Sequence, residues 1–241
     1  MTDRLVIIPT YNEADNVDVL IPRLFKYIPG LSILVVDDGS PDGTATKCRE
    51  MQKSYPNLFI ESRTEKSGLG SAYRFGFAWG LNRGFEELVE MDADMSHRVR
   101  DLAAMIKAKE SNPSSDLIIG SRWIKGGSTI NWPLKRQLLS RAANIYVRMM
   151  LGMGVSDSTA GFRIYSAEIL RKIDLTAIKS EGYSFQIEMT RAAKLAGAKI
   201  IEVPITFRER ESGVSKMSQA IVKEAMIRVT IWGFKRFLRL K

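Results

Sequence analysis

Glu87-Leu88-Val89-Glu90-Met91-Asp92-Ala93-Asp94 reads as a strand that ends in two carboxylates one residue apart. In an α/β sheet the carboxyl end of a strand opens into the ligand crevice. Two carboxylates placed there repel each other unless a cation lies between them. A hard divalent ion prefers oxygen ligands and keeps positions open for substrate phosphates. The stretch therefore reads as a Mg²⁺ or Mn²⁺ site that receives a diphosphate. The competing reading is an acidic surface turn, a common fate of Asp-rich segments. The neighbouring sequence has to separate the two.

Towards the N-terminus, Leu5–Ile8 is a short apolar run stopped by Pro9, as expected of a buried parallel strand. Tyr11-Asn12-Glu13 follows at its carboxyl end. A helix is expected to run to about Ile28, with Val17, Leu20, Leu24 and Ile28 on one face. Pro22 must kink that helix or sit in a first turn that starts late. Leu31–Val36 is a second strand, ending in Asp37-Asp38-Gly39-Ser40-Pro41-Asp42-Gly43-Thr44, where Asp42 or Thr44 is placed to cap the next helix. Leu58–Glu61 is a third strand, and Gly68-Leu69-Gly70 opens a helix through about Leu81. Strand and helix alternate, which predicts an α/β fold with a mostly parallel, doubly wound, Rossmann-like sheet flanked by helices. Three strands then deliver Tyr11/Glu13, Asp37/Asp38 and Asp92/Asp94 to one edge. Three such clusters are harder to explain as solvated turns than one.

Towards the C-terminus the pattern is less regular. Leu102–Lys109 is helical, and Leu117–Ile119 is a strand leading into Gly120-Ser121-Arg122. A glycine-rich loop, Lys125–Ser128, precedes Trp132-Pro133 and a basic helix over about Leu134–Met150. Asp157–Arg163 is a loop, Tyr183–Leu195 a helix and Lys199–Val203 a strand. Pro204 permits only an edge or a break. Thr206–Arg210 leads into a loop through Lys216, and from Ser218 the pattern is helical. The expected organisation is a catalytic domain over residues 1–217 with a basic, apolar C-terminal helix over 218–241.

The 241 residues carry a formal net charge of +9, which points to an anionic partner: nucleic acid, a phosphorylated substrate or an acidic membrane. No nucleic-acid recognition module is present in the sequence, so that partner class is set aside. The one cysteine, Cys48, rules out an internal disulfide framework and reads as a small buried hydrophobe. The N-terminal apolar run is too short for a secretory signal, and no stretch reaches the roughly 18 apolar residues of a membrane span.

Three motifs in this order, Ile8-Pro9-Thr10-Tyr11-Asn12-Glu13, Val35-Val36-Asp37-Asp38-Gly39-Ser40 and Asp92-Ala93-Asp94, resemble the family 2 inverting glycosyltransferases of the GT-A fold. Ser40–Thr44, Gly68–Tyr73, Gly120–Trp123, Glu181–Gln186, Phe207–Arg210 and Gly213–Lys216 are similar to the dolichyl- and polyprenyl-phosphate mannose synthases within it. The resemblance covers about residues 4–217. It implies a GDP-mannose donor, Mg²⁺ or Mn²⁺, and a polyprenyl or dolichyl phosphate acceptor, with mannose transferred with inversion. It places Pro9, Tyr11, Glu13 and Asp38 in the nucleoside pocket. It places Asp92, Asp94 and Ser96 at the metal, with Asp94 as the direct ligand, and Ala93 between them against the nucleotide sugar. Arg122, Arg136 and Ser140 hold the acceptor phosphate on this reading, and Arg210 and Lys216 close over the donor diphosphate. Asp94, Arg122 and Arg136 are the catalytic set. Arg98-Val99-Arg100 departs from the family, which has prolines there, and predicts a more basic and less rigid loop.

Read without the resemblance, Arg136 and Ser140 share a helix face because they lie four apart, and spacing alone favours a solvated basic helix. His97, the sole histidine, is assigned no catalytic role. Trp132 and Trp232 suit either a membrane interface or the core. A related activity on UDP-glucose is the alternative to mannose transfer. From Lys216 onward the chain holds seven Lys or Arg against one acid, Glu224, around the apolar run Ala225–Phe234. Ten helical residues span about 15 Å, half a bilayer's hydrocarbon core. The expectation is a peripheral enzyme on the cytoplasmic side of a membrane (the endoplasmic reticulum in a eukaryote, the plasma membrane in a prokaryote), with this helix covered by lipid headgroups, by the protein body or by a small membrane-anchored partner subunit.

Overall fold

The computed structural model describes residues 4–65, 67–209 and 219–238. The first half builds four parallel strands, β1 (Arg4–Thr10), β2 (Ser32–Asp37), β3 (Leu58–Ser62) and β4 (Glu87–Glu90). They are linked by helices α1 (Ala14–Tyr27), α2 (Thr44–Met51) and α3 (Leu69–Asn82). The second half adds α4 (Val99–Ser111), β5 (Leu117–Ser121), β6 (Ser128–Ile130), α5 (Leu134–Leu151), β7 (Arg163–Ser166), α6 (Ala167–Lys172), α7 (Gly182–Leu195), β8 (Ile200–Pro204), β9 (Thr206–Arg208) and α8 (Gln219–Phe237). The main sheet has seven strands in the order β3-β2-β1-β4-β7-β5-β8, and β6 pairs with β9 in a separate ribbon. Only β7 runs against the others, between β4 and β5.

Alternation along the strands sorts the core onto two faces. Leu5, Ile7, Leu34, Val36 and Leu88 point to one side, where they meet Tyr73 and Phe77 of α3 and Phe185 of α7. Val6, Ile8, Ile33, Val35 and Val89 point to the other, against Val17, Leu20, Ile21 and Leu24 of α1 and Leu102 and Met105 of α4. Strands buried on both faces read as continuous apolar runs, which is why β1 and β2 were visible as such.

Several sequence expectations are corrected. Pro9 does not end β1; the strand continues to Thr10. β4 pairs with β1 only as far as Ile7↔Glu90, while β2 pairs on to Thr10↔Asp37. The Ile7 carbonyl accepts from Met91 N–H on the β4 side, and residues two apart share a side, so the Pro9 nitrogen faces a flank where the ladder has already stopped. α1 runs through Pro22 without starting late. Arg98-Val99-Arg100 is not a loose loop: Val99 opens α4, and Arg98 grips Asp101 with two bonds of 2.8 Å. β7, α6 and the β6–β9 ribbon have no counterpart in the sequence reading, which places loops at Lys125–Ser128 and Asp157–Arg163. Pro204 does lie on the edge strand, β8.

α8 is not free of the body. Val229 is buried in the core, Tyr146 of α5 and Thr230 share a hydrogen bond of 2.6 Å, and Gly233 lies against Met150. Ile227, Ile231 and Phe234 form a second stripe on α8, half or more exposed, and Leu238 extends it just past the helix end. Leu134, Leu138, Ile145 and Met149 form a similar exposed stripe on α5. Among the described residues no helix is long and apolar enough to cross a membrane.

Candidate active site

Because β1, β2 and β4 are parallel neighbours, their carboxyl ends open on the same edge of the sheet. The crevice there encloses about 350 Å³, within the usual range for small-ligand sites. Pro9, Tyr11, Glu13, Asp38, Asp92, Ala93, Asp94, Arg122 and Arg136 all line it. Asp37 does not: its carboxylate accepts from Thr10 Oγ1 at 2.9 Å and from Ser40 N–H and Oγ, and so shapes the β2 turn.

One end is built by β1, β2 and the start of α3. Asp38 is buried and ion-paired to Arg63, whose Nη1 also donates to Ser71 Oγ at 2.8 Å. Glu181, from the loop before α7, accepts from the N–H groups of Gly70 at 2.7 Å and Ser71 at 3.1 Å. Its carboxylate thus answers the unpaired donors and positive dipole end of α3. Gly68 is needed there: its φ is +94°, and a Cβ on it would lie 2.5 Å from a Glu181 carboxylate oxygen.

The middle is the loop after β4. Tyr73 Oη donates to Asp92 Oδ1 at 3.3 Å, and burial followed by the Asp92 charge pushes the phenol's pKa well up. His97 is buried between the rings of Phe162 and Phe207, with Nε2 3.5 Å from Asp92 Oδ2 but outside hydrogen-bond geometry. Met95 turns the chain through φ +62°, and Ser96 N–H then donates to Asp94 Oδ1 at 3.1 Å. Ser96 itself is buried, with its hydroxyl unpaired and outside the crevice lining. Among the described residues no three His, Cys, Asp or Glu side chains cluster as a metal cage. Two carboxylates at the mouth fit a cation that takes its remaining ligands from a diphosphate and water. Beneath them Glu90 is fully buried, and burial raises its pKa to about 8 against the opposing charge of Arg163.

The far end carries the arginines. Asp157 accepts from Arg122 Nε and Nη2 at 2.7 Å each and from its backbone N–H at 3.0 Å. Burial works against the Arg122 charge, but Asp157 more than offsets it and keeps the pKa raised. Arg136 pairs with Glu209 and stacks on Trp132, its guanidinium carbon 4.3 Å from the ring centre. Ser140 lies outside the main crevice. It lines an adjoining apolar cavity of about 80 Å³ between α5, α7 and α8, with Leu139, Ala143, Val147, Ile187, Met226 and Val229. Arg122, Trp132, Arg136, Thr159 and Tyr183 line both spaces. Trp132 is buried at this junction, and Trp232 packs against the core. Arg210 and Lys216 fall outside the described residues.

Sequence reasoning missed Arg63, Asp157, Glu209 and Gln186. Asp157 carried a signal, an acid inside a turn-rich segment that also holds Thr159 and Gly161, but no local pattern pairs it with an arginine 35 residues away.

The chain is 50% identical over 232 residues to a polyprenol monophosphomannose synthase of Mycolicibacterium smegmatis, covering 96% of this chain and 87% of that protein. It is 49% identical over 229 residues to an undecaprenyl-phosphate mannosyltransferase of Micrococcus luteus, covering 95% and 93%. Among solved structures it is similar to glucosyl-3-phosphoglycerate synthase of Mycobacterium tuberculosis in complex with UDP (TM-score 0.68, 16% identity, 96% of this chain and 80% of that one). It is also similar to a mannosyltransferase of Pyrobaculum calidifontis in complex with GDP-Man and Mn²⁺ (TM-score 0.60, 18% identity, 99% and 65%). Residues 5–174 match the glycosyl transferase family 2 model, and with a parallel sheet whose strand ends converge on Asp92 and Asp94, the chain belongs to that family.

Proposed function

We propose that the protein transfers mannose from GDP-mannose to a polyprenyl phosphate with inversion, giving a polyprenyl β-mannosyl phosphate. The names of the two half-identical relatives support the sugar and the acceptor. The observation that carries the reading is the junction at Arg122 and Arg136. A polar crevice with two carboxylates meets an apolar cavity there, and two guanidiniums line both. An amphiphile with a phosphate head and an isoprenoid chain fits that pair of spaces. The head lies on the arginines, and the first isoprene units lie against Leu139, Val147, Ile187 and Val229.

Pro9, Tyr11, Glu13 and Asp38 bind the nucleoside, and Asp92 and Asp94 are the residues that would hold Mg²⁺ or Mn²⁺ for the diphosphate. That ion, when bound, supplies positive charge for the GDP leaving group. The acceptor phosphate has a second pKa near 6 and is largely ionised at neutral pH, so no strong general base is required. The protein's part is placement. Asp157 fixes Arg122 through Nε and Nη2 and leaves Nη1 for the phosphate. Arg136 exchanges Glu209 for the incoming phosphate, a planar donor fork being suited to either anion. Displacement from the face opposite GDP inverts the anomeric carbon.

The enzyme works peripherally at the cytoplasmic face of a membrane. The exposed apolar stripes of α5 and α8 are flanked by Lys135, Arg141, Arg148, Arg228 and Lys235, a pattern suited to an anionic leaflet. Incubation with GDP-mannose, Mn²⁺ or Mg²⁺ and a polyprenyl phosphate, followed by mass spectrometry, tests the activity. A mannosyl-phosphoryl lipid is expected, with none from the unphosphorylated polyprenol and little from UDP-glucose. Transfer to the free alcohol, or a preference for UDP-glucose, overturns the assignment.

A further inference from the structure

Gln186 of α7 lines the crevice with its amide buried and both polar atoms short of a full hydrogen bond, a state that among the described lining residues it shares with the ring nitrogens of His97. It is 2% exposed. The carbonyl of Gln186 accepts from Thr190 Oγ1 at 2.8 Å, so the backbone is held within the helix while the side chain reaches inward. Gly161, which also lines the crevice, lies next to the amide: a Cβ there would be in van der Waals contact with Gln186 Nε2 at 3.5 Å. Glu90 lies beside the same amide, whose contact opposes the effect of burial on the carboxyl, but the pair falls short of full hydrogen-bond geometry. Glu90 ends β4 and Asp92 follows two residues on, in the loop that enters the crevice, which puts Gln186 near the carboxylate pair. The nucleoside end, at Tyr11 and Asp38, and the arginine end lie on other elements.

Resting on the donor reading above, we infer that Gln186 is a specificity-determining residue that binds a hydroxyl of the transferred sugar. A primary amide offers two N–H donors and a carbonyl acceptor. A hexose hydroxyl both donates and accepts, so it matches either end. Buried polar groups are almost always partnered in native proteins. An amide with no full hydrogen bond beside the reacting centre has donor and acceptor capacity left for a partner that arrives with the substrate. A site built this way rejects a sugar lacking that hydroxyl much more strongly than an apolar pocket does.

The test compares wild type, Gln186→Leu and Gln186→Glu with GDP-mannose and its 2-, 3-, 4- and 6-deoxy analogues, with GDP as a competitive inhibitor. Wild type is expected to lose about 10- to 100-fold in kcat/KM for one deoxy analogue, the range expected for one neutral hydrogen bond. Gln186→Leu should lose a similar factor with GDP-mannose and show no further loss with that analogue. GDP inhibition should change less than about twofold. Equal penalties for every deoxy analogue in wild type and variant overturn the inference, as does a parallel loss of GDP affinity. Should Gln186→Leu fail to fold, the near-isosteric Gln186→Glu takes its place and must alter the deoxy-sugar profile. If wild type uses another nucleotide sugar, the donor reading fails separately, and the same comparison is run with the deoxy forms of that sugar.

Discussion

Asp157 takes two of the three guanidinium nitrogens of Arg122 and is itself fully buried. It is fixed in turn from both sides: Glu202 accepts from its N–H at 3.0 Å, and Asn144 of α5 accepts from the next N–H at 2.8 Å. The cluster therefore ties the acceptor end to β8 and α5. Asp157→Asn is expected to raise the acceptor KM about tenfold or more while leaving inhibition by GDP unchanged, measured by steady-state kinetics. Breaking a buried ion pair from one side also costs about 3–5 kcal/mol, to be read by urea unfolding. Cys48 gives a residue-scale prediction of a different kind. Burial, followed by the charges of Asp37 and Asp18, raises its thiol from 9.0 to about 12. The folded protein keeps that proton while the unfolded chain releases it, so this group costs no stability below pH 9 and lowers stability between pH 9 and 12. Iodoacetamide at pH 8 is expected to leave Cys48 unmodified in the native protein and to label it in urea.

At the scale of elements, α3 sits close to the sheet because of its glycines. A Cβ on Gly76 would fall 2.5 Å from Ile7 Cγ2 of β1, and that isoleucine is fully buried. Gly76→Ala is expected to destabilise the protein by about 1–3 kcal/mol through overpacking, despite the better helix propensity of alanine, as read by thermal unfolding. The elements of the first half were legible mainly because β1 and β2 are apolar runs and α1 and α3 bury an apolar stripe. The same logic failed for Arg163-Ile164-Tyr165-Ser166. It is short, opens with a charged residue and follows a turn-forming segment, yet it occupies the middle of the sheet. Arg163 tolerates full burial because its guanidinium reaches the carbonyls of Ala160 and Ser158 and the hydroxyls of Tyr165 and Thr190. That satisfaction is tertiary and leaves no trace in local sequence. The crevice residues from β1, β2 and β4 were readable for the converse reason: parallel strand ends must share an edge. Ser140 was legible as a neighbour of Arg136 on a helix face, but only packing of α8 on α5 shows that it faces an apolar space.

For the whole molecule, α8 presents two apolar faces with different fates. Val229 and Gly233 turn to the body, whereas Ile231 and Phe234 are 50% and 62% exposed. Ile231→Ser with Phe234→Ser is expected to weaken binding to anionic vesicles by about tenfold or more in a flotation assay, since each removes a large apolar contact with lipid. Its unfolding midpoint should stay near that of wild type, because neither side chain is in the core. Val229→Ala should do the opposite, keeping vesicle binding and losing about 1–3 kcal/mol of stability. Equal flotation of the first variant and wild type removes the α8 stripe from the membrane account.

The order of strands across the sheet has a consequence for synthesis. β3, β2, β1 and β4 are neighbours, and all four are complete by residue 90. β7, β5 and β8 come from residues 117–204 and join along a single seam, Glu87↔Ser166 through Glu90↔Arg163. On the ribosome the donor half can therefore assemble first, with β4 as a temporary open edge whose backbone donors and acceptors are unpaired. Such an edge invites pairing with other chains until β7 covers it. Nascent chains stalled with residues 1–110 outside the exit tunnel are expected to resist brief proteolysis across β1–β3 and to bind holdase chaperones. Chains extended past residue 204 should release them as the seam closes.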